Sequence, residues 1–95
     1  MPEMNFVIRW PDETTETCYS PSLIIKDYFA PGQSYGLKEF VDRARTALSI
    51  ASERVQAKYG MACGHALSQI AEIEVKSADF ADNPDARVTV VSFDE

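Results

Sequence analysis

The sequence is poor in cysteine, histidine, long apolar runs and positive charge. Its 95 residues include two cysteines and one histidine, which is too few for a disulfide framework and weak for a zinc site of about four ligands. The longest apolar runs, such as residues 23–25, are far shorter than the roughly 20 residues of a transmembrane helix. The net charge of −6 has the opposite sign to the basic surface that a nucleic-acid-binding domain usually presents. We therefore predict that the protein binds no metal, no cofactor and no nucleic acid, and that it does not associate with a membrane.

The N-terminal residues predict a cytoplasmic location. Met1-Pro2-Glu3 leads almost directly into a strand pattern, without the basic and apolar regions of a secretory signal. Without export, Cys18 and Cys63 are expected to be reduced thiols in the cytoplasm. The length predicts one domain, residues 1–95.

Three segments have the composition and alternation of β-strands. Met4–Trp10 places Met, Phe, Ile and Trp on one face, and Thr15–Tyr19 follows a Pro-Asp turn, so the two predict a β-hairpin. Arg87–Phe93 is rich in valine and predicts a third strand. We expect this last strand to pair with the first, because the first would otherwise expose a long edge.

Two helices and a loop are predicted between the strands. Apolar residues recur at three- and four-residue steps over Leu37–Tyr59, and Gly60 suits a left-handed C-cap. A second helix is predicted from about residue 64 to residue 80, with a buried arc made of Ala66, Leu67, Ile70, Ala71, Val75 and Ala78. Ser20 as N-cap and Pro21 at the first helical position suggest a short helix to about Tyr28, although residues 23–25 also fit a strand. Residues 31–36 read as a loop.

These elements predict an α+β fold. Its simplest arrangement is a three-stranded antiparallel sheet, made of the N-terminal hairpin and the C-terminal strand, with both main helices on one face.

Charge is uneven along the chain. Residues 1–35 carry −3, residues 36–60 carry +2 and residues 61–95 carry −5. Arg43 and Arg54 lie within roughly 20° of each other around the long helix, with Ile50 between them in sequence. This flank is a candidate docking strip, two guanidinium groups around an aliphatic anchor. It also fits a solvated flank with local pairs such as Glu39–Arg43, or arginines tied to the acidic last helix.

Glu74 is a candidate binding residue because it interrupts the predicted apolar arc of the last helix. A carboxylate there must be paired, extend to solvent or be neutral. The simplest interpretation is an ion pair with an arginine of the long helix, such as Arg43 or Arg54, or plain exposure, and the alternative is a role in partner binding or proton handling. Cys63 and His65 invite a metal or nucleophile hypothesis, but a buried Cys63 and a solvent-facing His65 fit the pattern better.

Several stretches together resemble a known family. They are Met1–Met4, Arg9–Asp12, Cys18–Ser22, Asp27-Tyr28, Pro31-Gly32, Ser34-Tyr35, Arg43–Arg45, Ile50–Val55, Lys58–Gly60, Cys63, Ala66 and Ile73-Glu74. The combination resembles small bacterial nitrogen-starvation-response proteins encoded within a nitrilase-containing gene cluster. Glu13 stands where that family is expected to have glycine, and Gly36 where proline is frequent.

The resemblance implies a context. Its gene neighbours are similar to a nitrilase, a radical-SAM enzyme, an acetyltransferase, an ATP-using synthetase-like protein and a flavin oxidoreductase, and the clusters are linked to nitrogen limitation and, in some bacteria, to cyanide assimilation. The resemblance implies no catalytic residues, and it adds weight to Arg54 and Glu74.

The leading hypothesis is a non-catalytic accessory protein that binds one of those enzymes, or itself as a homodimer, through the Arg43–Ile50–Arg54 flank. The alternative is a small enzyme or carrier for a nitrogen-containing metabolite, with a cleft near Cys18, Tyr19, Cys63 and Glu74. A ligand-binding sensor of nitrogen status is a third hypothesis, for which the sequence indicates no ligand site.

Overall fold

The N-terminal hairpin forms as predicted. A computed structural model describes residues 3–60 and 64–95. In it, β1 (Met4–Arg9) pairs antiparallel with β2 (Thr15–Ser20). The turn closes through the Glu13 backbone N–H, which donates to the Trp10 carbonyl at 2.8 Å, while the Asp12 carboxylate accepts from the Thr14 backbone and hydroxyl. Those two hydrogen bonds lower the pKa of Asp12. Glu13 has φ 70°, the left-handed conformation that favours glycine, which is the residue expected here from the family resemblance.

The sheet has four strands, in the order β2-β1-β4-β3. The predicted pairing of the last strand, β4 (Arg87–Asp94), with β1 is confirmed. The prediction of three strands is wrong, because β3 (Ser34–Gly36), inside the predicted loop, pairs antiparallel with β4. Backbone bonds just before β3 hold it there, since the Gly32 N–H donates to the Val90 carbonyl and the Val90 N–H donates to the Gln33 carbonyl. Three residues are too few to show a strand period in the sequence.

One face of the sheet carries the core. Phe6, Ile8, Val88 and Val90 are buried there. The β1–β4 register shifts between Val7 and Ile8, so that Val91 has no partner in the register. Such a bulge changes the alternation. Phe93 therefore packs against the same core as Val88 and Val90, while Val91 is 36% exposed.

The short helix begins later than predicted. It is α1 (Ile25–Tyr28), and its N-cap residue is Ile24, whose apolar side chain makes no capping hydrogen bond. The serines bond the turn before it instead: the Ser20 hydroxyl donates to the Ser22 carbonyl, and the Ser22 hydroxyl accepts from the Ile24 N–H. Hydroxyl bonds of this kind offer the backbone an alternative to helix.

The two main helices are α2 (Leu37–Tyr59) and α3 (Gly64–Ala78). The predicted bounds of α2 are confirmed, and Gly60 caps it at φ 79°, with its N–H donating to the Gln56 carbonyl. Helix α3 ends two residues earlier than predicted. The helices meet the core face of the sheet in one cluster that includes Phe40, Leu48 and Ile73. No helix in residues 3–60 or 64–95 has the length and hydrophobicity needed to cross a bilayer.

Candidate functional site

The outer side of α3 presents apolar side chains to solvent. Leu67 is 50% and Val75 is 73% exposed, and Ala71 and Ala78 are also exposed. At about 100° per residue these four positions span roughly 80° of the helix. We call this set the α3 outer face. The predicted buried arc of α3 is therefore wrong at four of its six positions.

The inner side of α3 explains this orientation. Its buried residues are Ala66, Gln69 and Ile73, whose centre lies roughly 160° around the helix from the centre of the outer face. The Gln69 side-chain oxygen accepts from the Tyr19 backbone N–H at 3.0 Å, which joins α3 to the edge strand β2. Capping an edge-strand donor stabilises this orientation. The Nε2 of Gln69 is buried and has no hydrogen-bond partner among residues 3–60 and 64–95.

A shallow depression of about 330 Å³ lies beside the outer face. Ala71 and Val75 provide its apolar floor, and Glu72, Lys76 and Asp79 its rim. Lys76 is directed to Asp12, 3.7 Å away, and lies over the Phe80 ring. Among the residues that the structure describes, no ion pair involves Glu72 or Asp79. This rim is therefore net acidic.

Glu74 lies at the opposite border of the outer face. Its side chain is 44% exposed, and its carboxylate accepts from Arg45 at 3.0 Å, while Arg45 also lies 3.8 Å from Asp42. The predicted ion pair with an arginine of α2 is thus confirmed, and its partner is Arg45, not Arg43 or Arg54, the two arginines named as examples. A groove of about 460 Å³ between α2 and α3 is lined by Arg45 and Asp42 together with Lys38, so it carries both signs of charge.

Arg43 and Arg54 both contact the segment from Ser22 to Tyr28. Arg43 donates to the Tyr28 carbonyl at 2.8 Å, and Arg54 donates to the Ser22 hydroxyl at 3.0 Å. Arg43 also forms the expected pair with Glu39, at 3.3 Å. Ile50 is half-buried against the core. These contacts give both arginines a structural role, and docking through this flank stays a prediction. Glu74 and Arg45 do not belong to this set of contacts.

The residues of the predicted metabolite cleft are only partly brought together. Cys18 is fully buried, and burial, with the neighbouring Glu16 carboxylate, raises the pKa of its thiol above the ordinary range. His65 is exposed, as predicted, and its ring meets Tyr19 edge-on at 5.5 Å. Tyr19 lines two small cavities of about 210 Å³, whose other residues include neither Cys18 nor Glu74. The Cys63 predictions lie outside the described residues. Within those described residues, no three His, Cys, Asp or Glu side chains form a group that could hold a metal ion.

Comparison with known proteins places the chain in a family. The sequence model of the family described as nitrogen starvation-induced protein NitG matches residues 5–93. The chain belongs to the NitG family. The match covers every strand and helix, with β1 and β4 each extending one residue beyond it. No curated protein and no solved structure matches this NitG-family chain.

Sequence reasoning missed the α3 outer face of this NitG-family chain. Helix α3 has apolar residues on two sides, and the predicted arc combines Ala66 and Ile70, which face inward or partly inward, with the residues of the outer face. No residue pattern distinguishes the two sides, because the inner side includes the polar Gln69, whose side-chain oxygen accepts from the Tyr19 backbone N–H at the edge of the sheet.

Proposed function

We propose that this NitG-family protein is a non-catalytic accessory protein of the nitrogen-starvation response that acts by binding another protein. The observation that carries this proposal is the α3 outer face, where Leu67 and Val75 remain exposed although the chain has a buried core for apolar residues. Exposed apolar side chains rimmed by polar ones are typical of interaction sites.

The partner is proposed to be one of the enzymes of the nitrilase-containing gene cluster. This part of the proposal rests on the NitG family match and on the gene context implied by the sequence resemblance. The α3 outer face is the proposed contact surface. The flank of Arg43, Ile50 and Arg54 is the second candidate surface.

Direct binding to each purified cluster protein tests the proposal. We expect one of them to bind, and the double variant Leu67→Ser with Val75→Ser to weaken that binding at least about tenfold. Burial of two aliphatic side chains from water is worth more than the 1.4 kcal/mol that a tenfold change requires. Serine leaves the charge unchanged, so the effect isolates the apolar contact.

Val91→Ser is the matched control, because Val91 is also an exposed valine but lies on β4. It should bind within about twofold of the parent protein, as substitutions outside the core of an interface usually do. Circular dichroism would verify that all variants fold. Failure of every cluster protein to bind at low salt would contradict the proposed function.

A further inference from the structure

We infer that the α3 outer face receives an amphipathic helix whose apolar stripe is bordered on at least one side by lysine or arginine. The inference deepens the proposed function and rests on it. Leu67, Ala71, Val75 and Ala78 recur at steps of four, four and three residues over about three turns of α3. That spacing matches the i, i+4 and i+7 anchors through which one helix packs along another.

The carboxylates beside the outer face determine which charge the partner helix should carry along the border of its apolar stripe. Glu72 and Asp79 lie roughly 40–60° beyond Val75 around the helix. Their carboxylates form no ion pair among the described residues, whereas Lys76 is engaged by Asp12. An approaching helix with basic residues along this side would gain charge complementarity, and one with acidic residues would be repelled.

The other border of the face is already neutralised. Because Glu74 pairs with Arg45, this side interacts more weakly with charged residues of the partner. The residues of the partner helix along it can be polar and uncharged. The specificity of the face is therefore expected to come from the side of Glu72 and Asp79.

A second copy of the chain fits this face less well. In an isologous pair, the same patch of both copies meets around a twofold axis. Two α3 helices packed antiparallel along the outer face would bring Glu72 of one copy near Glu72 of the other, close to the middle of the contact. Like charges placed opposite each other are unfavourable, so the acidic rim favours a different, basic partner.

Three synthetic helical peptides test the inference on the full-length chain. The first has a leucine–alanine stripe bordered by lysine and arginine, the second has the same stripe bordered by glutamate, and the third is a scrambled version of the first. Fluorescence anisotropy gives the affinities, and amide chemical shifts locate the contact. We expect the basic amphipathic peptide to bind at least about tenfold more tightly than either of the others. Its shift changes should be concentrated in residues 64–79.

A charge reversal makes the test decisive. Glu72→Lys with Asp79→Lys should reverse the preference, so that the glutamate-bordered peptide binds more tightly. Glu53→Lys with Asp94→Lys changes the net charge equally at exposed positions outside α3, and should keep the original preference.

Several results would overturn the inference. They are equal binding of the basic peptide and its scrambled version, an unchanged preference after the Glu72 and Asp79 reversal, shift changes outside α3, or no binding of any peptide. A dimer in analytical ultracentrifugation that the Leu67→Ser, Val75→Ser variant abolishes would assign the face to a second copy.

If a cluster protein binds but the order of peptide affinities is not as expected, the inferred partner chemistry is wrong and the proposed function stands. If no cluster protein binds, the proposed function fails even where a peptide binds.

Discussion

At the scale of single residues, the backbone of Glu13 makes a prediction. A left-handed conformation costs an L-residue about 1–2 kcal/mol, and Glu13 adopts it at φ 70°. Glycine removes that cost but loses about 0.5–1 kcal/mol through the entropy of the unfolded chain. We therefore expect Glu13→Gly to raise the free energy of unfolding by about 0.5–1 kcal/mol, measured by urea unfolding with Trp10 fluorescence. Glu13→Ala keeps the Cβ and should give no gain. Equal stabilisation by both variants would show that removal of the charge, and not the backbone, is responsible.

At the scale of elements, the arginines of α2 hold the segment that contains α1. The Arg43 guanidinium contacts the Tyr28 carbonyl and lies 5.3 Å from the centre of the Tyr35 ring. Arg43→Met removes the hydrogen bond but keeps much of the aliphatic stem. We expect local opening of residues 22–29 to become easier by about 1 kcal/mol, which makes amide exchange about fivefold faster.

Hydrogen exchange of the Lys26, Asp27 and Phe29 amides measures this effect, because each donates within the α1 segment. Lys38→Met is the control, since Lys38 is on the same helix but lines the groove between α2 and α3. Unchanged exchange in Arg43→Met would remove the structural role of this arginine and leave it available for docking.

The elements also show how far sequence reasoning reaches. Helix α2 and the β1–β4 pairing follow from long periodic patterns and from the cost of an exposed edge. Strand β3 could not be predicted from the sequence, because it has only three residues. Its backbone pairing with β4, and the bonds of Gly32 and Gln33 to Val90 just before it, hold it in the sheet. The α3 outer face could not be predicted from the sequence for a related reason. Both sides of α3 can form a core, and the side that faces inward is held by tertiary contacts that include the hydrogen bond from the Tyr19 backbone N–H to Gln69 and the packing of Ile73.

At the scale of the whole molecule, the net charge of −6 is unevenly distributed between the helices. The basic residues of α2 are largely used within the chain, since Arg43, Arg45 and Arg54 each contact a carboxylate, a carbonyl or a hydroxyl. The carboxylates of Glu72 and Asp79 remain at the surface beside apolar side chains. The molecule therefore presents an acidic, partly apolar face on α3, while its basic helix stabilises the fold. This separation is why the proposed contact is on α3 and the Arg43–Ile50–Arg54 flank is the competing surface.

Methyl cross-saturation NMR of the complex with the cluster protein that binds tests the central claim most directly. With Leu, Val and Ile methyl groups labelled in this chain, saturation of the partner should transfer to Leu67 and Val75. The methyl groups of Val91 and Ile50 should show no transfer. Transfer to Ile50, with Leu67 and Val75 unaffected, would contradict the account and assign the interface to the Arg43–Ile50–Arg54 flank.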